Sequence, residues 1–511
     1  MSKMLALVLG SLALLTLLFF LMARKDNAGA DSGHAGGGQQ PLMIYCAASN
    51  LAVMEDIRTA YAEETGRQVQ VQYGSSQTLL SSLEVSRNGD LYLPADDSFL
   101  ALADAKDLIA EVLPIATMHA VVVVPKGNPK QITRFEDLLR DDVRTVQASP
   151  DSAAVGKLTR ELLSQSGLWE DLHAATEGYR STVTDVANDL LVGAADAGIV
   201  YDAVLSTYPD LSAVELPELA AATSQISVGV LDFSAQPTAA LQFARYLTAA
   251  DRGLERYQHY GFRTAPGDRW AATPELTLFA GSMLRPAIEK TIDKFESREG
   301  VHVSRNYNGC GILVAQMKGG QHPDAYFACD TEFMLQMGDL FPNSVDVSQN
   351  ELVILVQKGN PHKIKSLRDL TRPGLRVGIG HENQCAMGWI TQNTFKEGGL
   401  QTEVMANVTV QTPTGDMLVN QMRSGSLDAA VAYLSNAAGS GEFLDAVQIQ
   451  GISCSTAVQP WGIATDSRYP QTMARLFTAL ASTESQNVFA AEGFGWNLNI
   501  DSKTDALRSK P

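Results

Sequence analysis

Two stretches of this chain end a short apolar segment on a tyrosine. Residues 182–204, TVTDVANDLLVGAADAGIVYDAV, deliver Tyr201, and TPTGDMLVNQMRSGSLDAAVAYLSNA delivers Tyr433, 232 residues later. Each has an amphipathic helical pattern stopped by a glycine (Gly193, Gly425), a turn of small residues reaching an aspartate (Asp196, Asp428), and a strand-like run. Ligands of open α/β sheets bind just beyond the carboxyl ends of strands, which is where these phenols would sit. Upstream, AASN places Ser49, and GSSQ places Ser75 and Ser76, immediately before helical patterns. AAVGK and TVTD open two more helices near Val155 and Val183. Hydroxyls, uncapped first-turn N–H groups and helix dipoles together make a site of neutral donors with few acceptors. That chemistry suits a fully ionised tetrahedral oxyanion, which offers acceptors only. The same serines are also the residues that cap helices, and rim tyrosines are commonly half-buried packing groups. No Ser-His-Asp arrangement, metal-ligand spacing, P-loop or acid–base pair is present, so neither an enzyme nor a bound cofactor is expected.

The elements that would position these residues occur twice. LMIYCAASN reads as strand, loop and helix, with Leu51, Met54, Ile57 and Tyr61 forming the apolar stripe; QVQVQY leads into the GSSQ helix, and DLYLPADDSF is a third strand. HAVVVVPKGNP, residues 119–129, is a buried strand, and VQASPDSAAVGKLTRELLSQSG is strand, loop and helix. Downstream, LTLFAGSML, NYNGCGILVAQM, DAYFACDTEF, VILVQKGNP and GHENQCAMGWITQNTF match these landmarks in order at offsets of 232–234. A tandem duplication of two α/β domains follows. The expected boundaries are 42–265 and 274–498, with a linker at Pro266 and Gly267 and a tail at 499–511.

At 511 residues and 45% hydrophobic content the chain is globular, and its net charge of −18 disfavours nucleic acid and anionic membrane surfaces as partners. Leu5–Met22 is an apolar run flanked by Lys3, Arg24 and Lys25. We read residues 1–25 as an uncleaved signal anchor, a transmembrane helix, rather than a cleaved signal, and residues 26–41 as a Gly-rich tether. Either reading exports the chain, to a periplasmic or other extracytoplasmic location. Five cysteines do not make a disulfide framework and leave at least one unpaired.

The ordered set AAS, YGSS, DLYLPAD, VVVPKGNP, SPDSAAVGK and DAGIVY resembles the molybdate/tungstate-binding proteins of ABC importers, which are type II periplasmic binding proteins. The resemblance covers nearly all of 42–262 and, more weakly, 276–496. It implies two tandem domains, each of two α/β lobes that close like a hinge on one oxyanion, molybdate or tungstate, for delivery to a permease. It also implies donors from Ser49, from Ser76 or Ser75, from the N–H groups of Val155 and Val183, and from Tyr201. In the second domain Ser282 and Tyr433 keep their types, while Cys310, Met387 and Gly415 stand where Ser76, Val155 and Val183 stand in the first. Cys310, Cys329 and Cys385 fall on loops expected to ring the second cleft. They are small semi-buried residues, or a Cys310–Cys329 disulfide, or thiolates for a soft metal such as copper or zinc. Alternatives for the whole chain are a binder of sulfate or a small organic acid, or a sensor or scaffold whose second cleft holds a soft metal.

Overall fold

The computed structural model describes residues 40–498. The Leu5–Met22 run read as an anchor, most of the tether, and the 499–511 tail lie outside the described residues. Among the described residues no helix is long and apolar enough to cross a membrane.

Short apolar strands alternating with helices pair in parallel, because each helix carries the chain back to the starting edge. The first repeat contains β1 (Leu42–Ala47), β2 (Val69–Gly74), β3 (Leu91–Leu93), β4 (Ile109–Pro125), β5 (Thr145–Ala148), β6 (Thr176–Arg180), β7 (Ala197–Tyr201), β8 (Leu211–Val214), β9 (Thr223–Leu231) and β10 (Arg263–Thr264). Their order is β2-β1-β3-β9-β4-β7-β5-β6, with β8 and β10 also on β4. β1 is parallel to β2 and β3, and β5 is parallel to β6 and β7. These two parallel groups are the cores of two lobes.

β4 joins the lobes. Its first part, Ile109–His119, pairs antiparallel with β9, and Ala120–Pro125 pairs antiparallel with β7 and β8. The sequence pattern placed a strand only from residue 119, ten residues late. Pro114 interrupts the run EVLPIATM, and the strand accommodates it at an irregularity between Pro114 and Ala116. The apolar stripe of helix Leu51–Thr65 also differs by one position: Val53 is buried with Met54, Ile57 and Tyr61, whereas Leu51 is 40% exposed.

The second repeat has β11 (Glu275–Gly281), β12 (His302–Asn308), β13 (Ala325–Phe327), β14 (Val345–Gln357), β15 (Val377–Gly380), β16 (Val408–Thr412), β17 (Ala429–Tyr433), β18 (Leu444–Gln448), β19 (Thr456–Ile463) and β20 (Gly495–Trp496). Their order, β12-β11-β13-β19-β14-β17-β15-β16 with β18 and β20 on β14, is the first topology again. Each repeat encloses its own apolar core.

The repeats meet through their first lobes. Glu299, at the end of helix Arg285–Glu299, accepts from Arg475 Nε at 2.8 Å and Nη2 at 2.9 Å, and from Arg245 Nη1 at 3.2 Å. Arg298 pairs with Glu111 of β4 at 3.0 Å. In the linker, Asp268 accepts from the N–H groups of Gln471 and Thr472 at 2.7 and 2.9 Å, capping helix Pro470–Leu480.

Candidate functional site

The carboxyl ends of β1 and β2 in one lobe face those of β5, β6 and β7 in the other. Ser49, Ser75, Ser76, Val155, Val183 and Tyr201 all line the single cavity between them. The cavity is about 20 Å³, measured as the space open to the centre of a water-sized sphere, which is room for one small ion. The lobes touch across it: the N–H of Gln77 donates to Ser152 O at 3.2 Å.

Each donor is held differently. Ser49 lies in the 3-10 turn Ala48–Asn50, and its Oγ accepts from Asn50 Nδ2 at 3.3 Å, which leaves the hydroxyl proton uncommitted. Ser75 is the N-cap of helix Ser76–Ser86, accepting from Thr78 N at 3.4 Å, with Thr78 Oγ1 2.7 Å away. Ser76 is buried, and its Oγ accepts the Ala95 N–H at 3.1 Å, so its proton also remains to be donated. Helix Ala154–Gln165 has no side-chain cap, so the N–H of Val155 in its first turn is free of one. It starts close against β5, where a Cβ on Gly156 would lie 2.3 Å from Ala148 O.

Helix Val183–Leu191 begins with a capping box. Thr182 Oγ1 accepts from Asp185 N at 3.2 Å, and the Asp185 carboxylate accepts from Thr182 N at 3.1 Å. The box uses the third N–H of the helix and leaves that of Val183. Tyr201 is fully buried, with its Oη 2.7 Å from Ser224 Oγ. When Ser224 donates, the phenol proton is left for the cavity. Burial pushes the Tyr201 pKa up, so the phenol stays protonated. No Lys, Arg, His, Asp or Glu lines the cavity.

Ser224 and the Ala95 N–H were not singled out from sequence; both act through hydrogen bonds that close only across the sheet. His119 is structural: its ring Nδ1 lies 3.0 Å from Thr223 Oγ1 at the crossing between lobes. Asp96 accepts from Ser98 N at 2.9 Å and Asp330 from Glu332 N at 3.0 Å, so both organise the turn that follows their strands.

The second cleft, also about 20 Å³, is lined by Ser282, Met387, Gly415 and Tyr433 among others. Cys310 does not line it. Its sulfur is bonded to Cys329, with the two Cα atoms 6.1 Å apart, and so has no S–H to donate. The expectation of a Cys310 donor is thereby corrected, and the soft-metal reading loses two of its three thiolates. Cys385 remains a free, buried thiol whose pKa burial pushes up to about 11. Among the described residues no group of three His, Cys, Asp or Glu side chains is placed to hold a metal. The lobes touch here as well, through Gly311 N and Gln384 O at 3.1 Å.

The bacterial extracellular solute-binding protein family matches residues 42–263 and again 276–495. The molybdate-binding protein ModA of Mycobacterium tuberculosis is 31% identical over 216 residues, 42% of this chain and 81% of that protein. A sulfate-binding protein of Synechococcus elongatus is 24% identical, over 43% of this chain and 72% of its own length. Among solved structures, the periplasmic molybdate-binding protein of Azotobacter vinelandii aligns with 43% of this chain and 98% of its own, at 17% identity and a TM-score of 0.39. These relatives are binding proteins, not enzymes. With both repeats matched, the chain belongs to the bacterial extracellular solute-binding proteins and carries two copies of the domain in tandem.

Proposed function

We propose that the first cleft captures a tetrahedral oxyanion, molybdate or tungstate, for the permease of an ABC-type importer. One observation carries this reading: six residues from five separated segments meet around a cavity the size of one small ion, with no ionised side chain in the wall. Dipoles and hydroxyls replace the ion's hydration shell, and the absence of a carboxylate acceptor disfavours a protonated guest. Lobe closure about β4 and β9 then encloses it. The exported chain would be tethered to the membrane through Leu5–Met22. Sulfate is the second reading, favoured by the sulfate-binding relative and by the same tetrahedral charge.

Thermal unfolding of the full chain with molybdate, tungstate, sulfate and phosphate tests the proposal. A ligand at about a hundred times its Kd adds roughly 2.7 kcal/mol to stability, a readily measured rise in Tm. The rise should disappear in Ser49→Ala and Tyr201→Phe. No rise with any of the four anions would overturn the oxyanion reading and favour a sensor or scaffold.

A further inference from the structure

The second cleft differs from the first in a consistent direction. In the first, three serines, Ser49, Ser75 and Ser76, line the cavity from the lobe containing β1 and β2. In the second, only Ser282 remains on that side; Gly309 stands for Ser75, and the Cys310–Cys329 disulfide occupies the places of Ser76 and Ala95. Met283 and Cys329 make the rest of that wall apolar.

The opposite lobe loses the Ser181 hydroxyl to Pro413 but gains the Asn436 amide and an uncapped helix start. Thr414 replaces Thr182, but Met417 stands where Asp185 closed the capping box, so no side-chain cap is made at the start of helix Gly415–Arg423. Asn436 stands where Val204 stood and packs over Gly415; a Cβ at 415 would lie 2.2 Å from its Oδ1. Helix Ala386–Glu397 also begins without a side-chain cap. Most telling is Tyr433. It is 2% exposed, lines the cavity, and its hydroxyl has no hydrogen-bond partner. β19 presents Ala457 opposite Asn350, in the register where β9 presents Ser224 opposite Met118, so the partner of Tyr201 has no counterpart here. A buried phenol without a partner is costly unless a ligand supplies the acceptor.

A tetrahedral dianion in this cleft would bury charged oxygens against sulfur and methyl groups, which is unfavourable. A carboxylate carries its charge on two oxygens on one side and turns a hydrogen or methyl group to the other. We infer that the second cleft is a separate site for a short carboxylate of formate to acetate size, gripped by Tyr433, Ser282 and the two helix starts, with its carbon end against the disulfide wall. This goes beyond the proposal for the first cleft and does not depend on it.

Calorimetry of the full chain carrying Ser49→Ala and Tyr201→Phe, titrated with formate, acetate and molybdate, isolates the second cleft. One equivalent of formate or acetate should bind, and adding Tyr433→Phe should weaken it about tenfold or more, the loss of a hydrogen bond to a charged group. That variant removes a hydroxyl with no protein partner, so the fold should be unchanged. The inference is overturned if neither carboxylate binds, if Tyr433→Phe leaves binding unchanged, or if molybdate binds the second cleft more tightly than acetate. As a converse, Cys310→Ser with Cys329→Ala puts back the counterparts of Ser76 and Ala95 and should raise molybdate affinity at the second cleft; no gain would refute the role given to the disulfide. Failure of the first-cleft proposal would appear separately, as absence of molybdate binding to the unsubstituted chain.

Discussion

Tyr201 and Tyr433 are the same residue at the same strand end, yet one phenol is partnered and the other is not. The difference is a hydroxyl on a neighbouring strand, Ser224 against Ala457. Because Tyr201 needs its proton to face an anion, Tyr201→Phe should weaken oxyanion binding about tenfold or more, measured by calorimetry. Affinity should also be nearly flat between about pH 6 and 9. The only titratable side chain in the wall is Tyr201, and burial raises its pKa, so it stays protonated throughout. A steep pH dependence in that window would mean that an ionising group takes part. The serines show what residue type alone reveals. Ser75 is a helix cap, as its position suggested, whereas Ser49 and Ser76 accept from Asn50 and the Ala95 N–H without capping anything. Three helix-start serines are legible in the sequence; which of them faces a ligand depends on contacts up to nineteen residues distant.

At the scale of elements, the donor helices are placed by close approach. A Cβ on Gly156 would lie 2.3 Å from Ala148 O, and one on Gly388, at the same place in the second repeat, 2.5 Å from His381 O. Gly156→Ala should therefore cost roughly 1–3 kcal/mol of stability and weaken oxyanion binding together, because the helix start must back away from the cavity. Chemical denaturation and calorimetry on the same variant check this; a stable variant with normal affinity would show that the helix start does not position the ion. The strand and helix order was readable because apolar periodicity is local and because two copies corroborate each other. The first half of β4 was not. Pro114 breaks the local pattern, and only pairing with β9 holds the segment extended. The disulfide stayed open for a similar reason: Cys310 and Cys329 meet only because β12 and β13 both flank β11.

For the molecule as a whole, the junction between repeats carries a testable pH response. Burial, and then the neighbouring Glu299 carboxylate, push the Glu111 pKa up to about 7, outweighing Arg298 and Arg475. The folded chain then holds a proton that the unfolded chain has already lost above about pH 4.5. Stability should fall as pH rises from about 5 to 7 and level off beyond. Glu111→Gln should flatten that decline and raise Tm at pH 8, measured by scanning fluorimetry; an unchanged profile would place the titrating group elsewhere.

All of these junction contacts come from the linker and from the lobes containing β1 and β11; the lobes containing β5 and β15 take no part in them. The protein is thus built like one handle with two independent jaws. If each mouth shuts on its ligand as proposed, neither levers the other, so filling one should leave the other's appetite unaltered, and the proposed permease would meet four distinguishable postures instead of two.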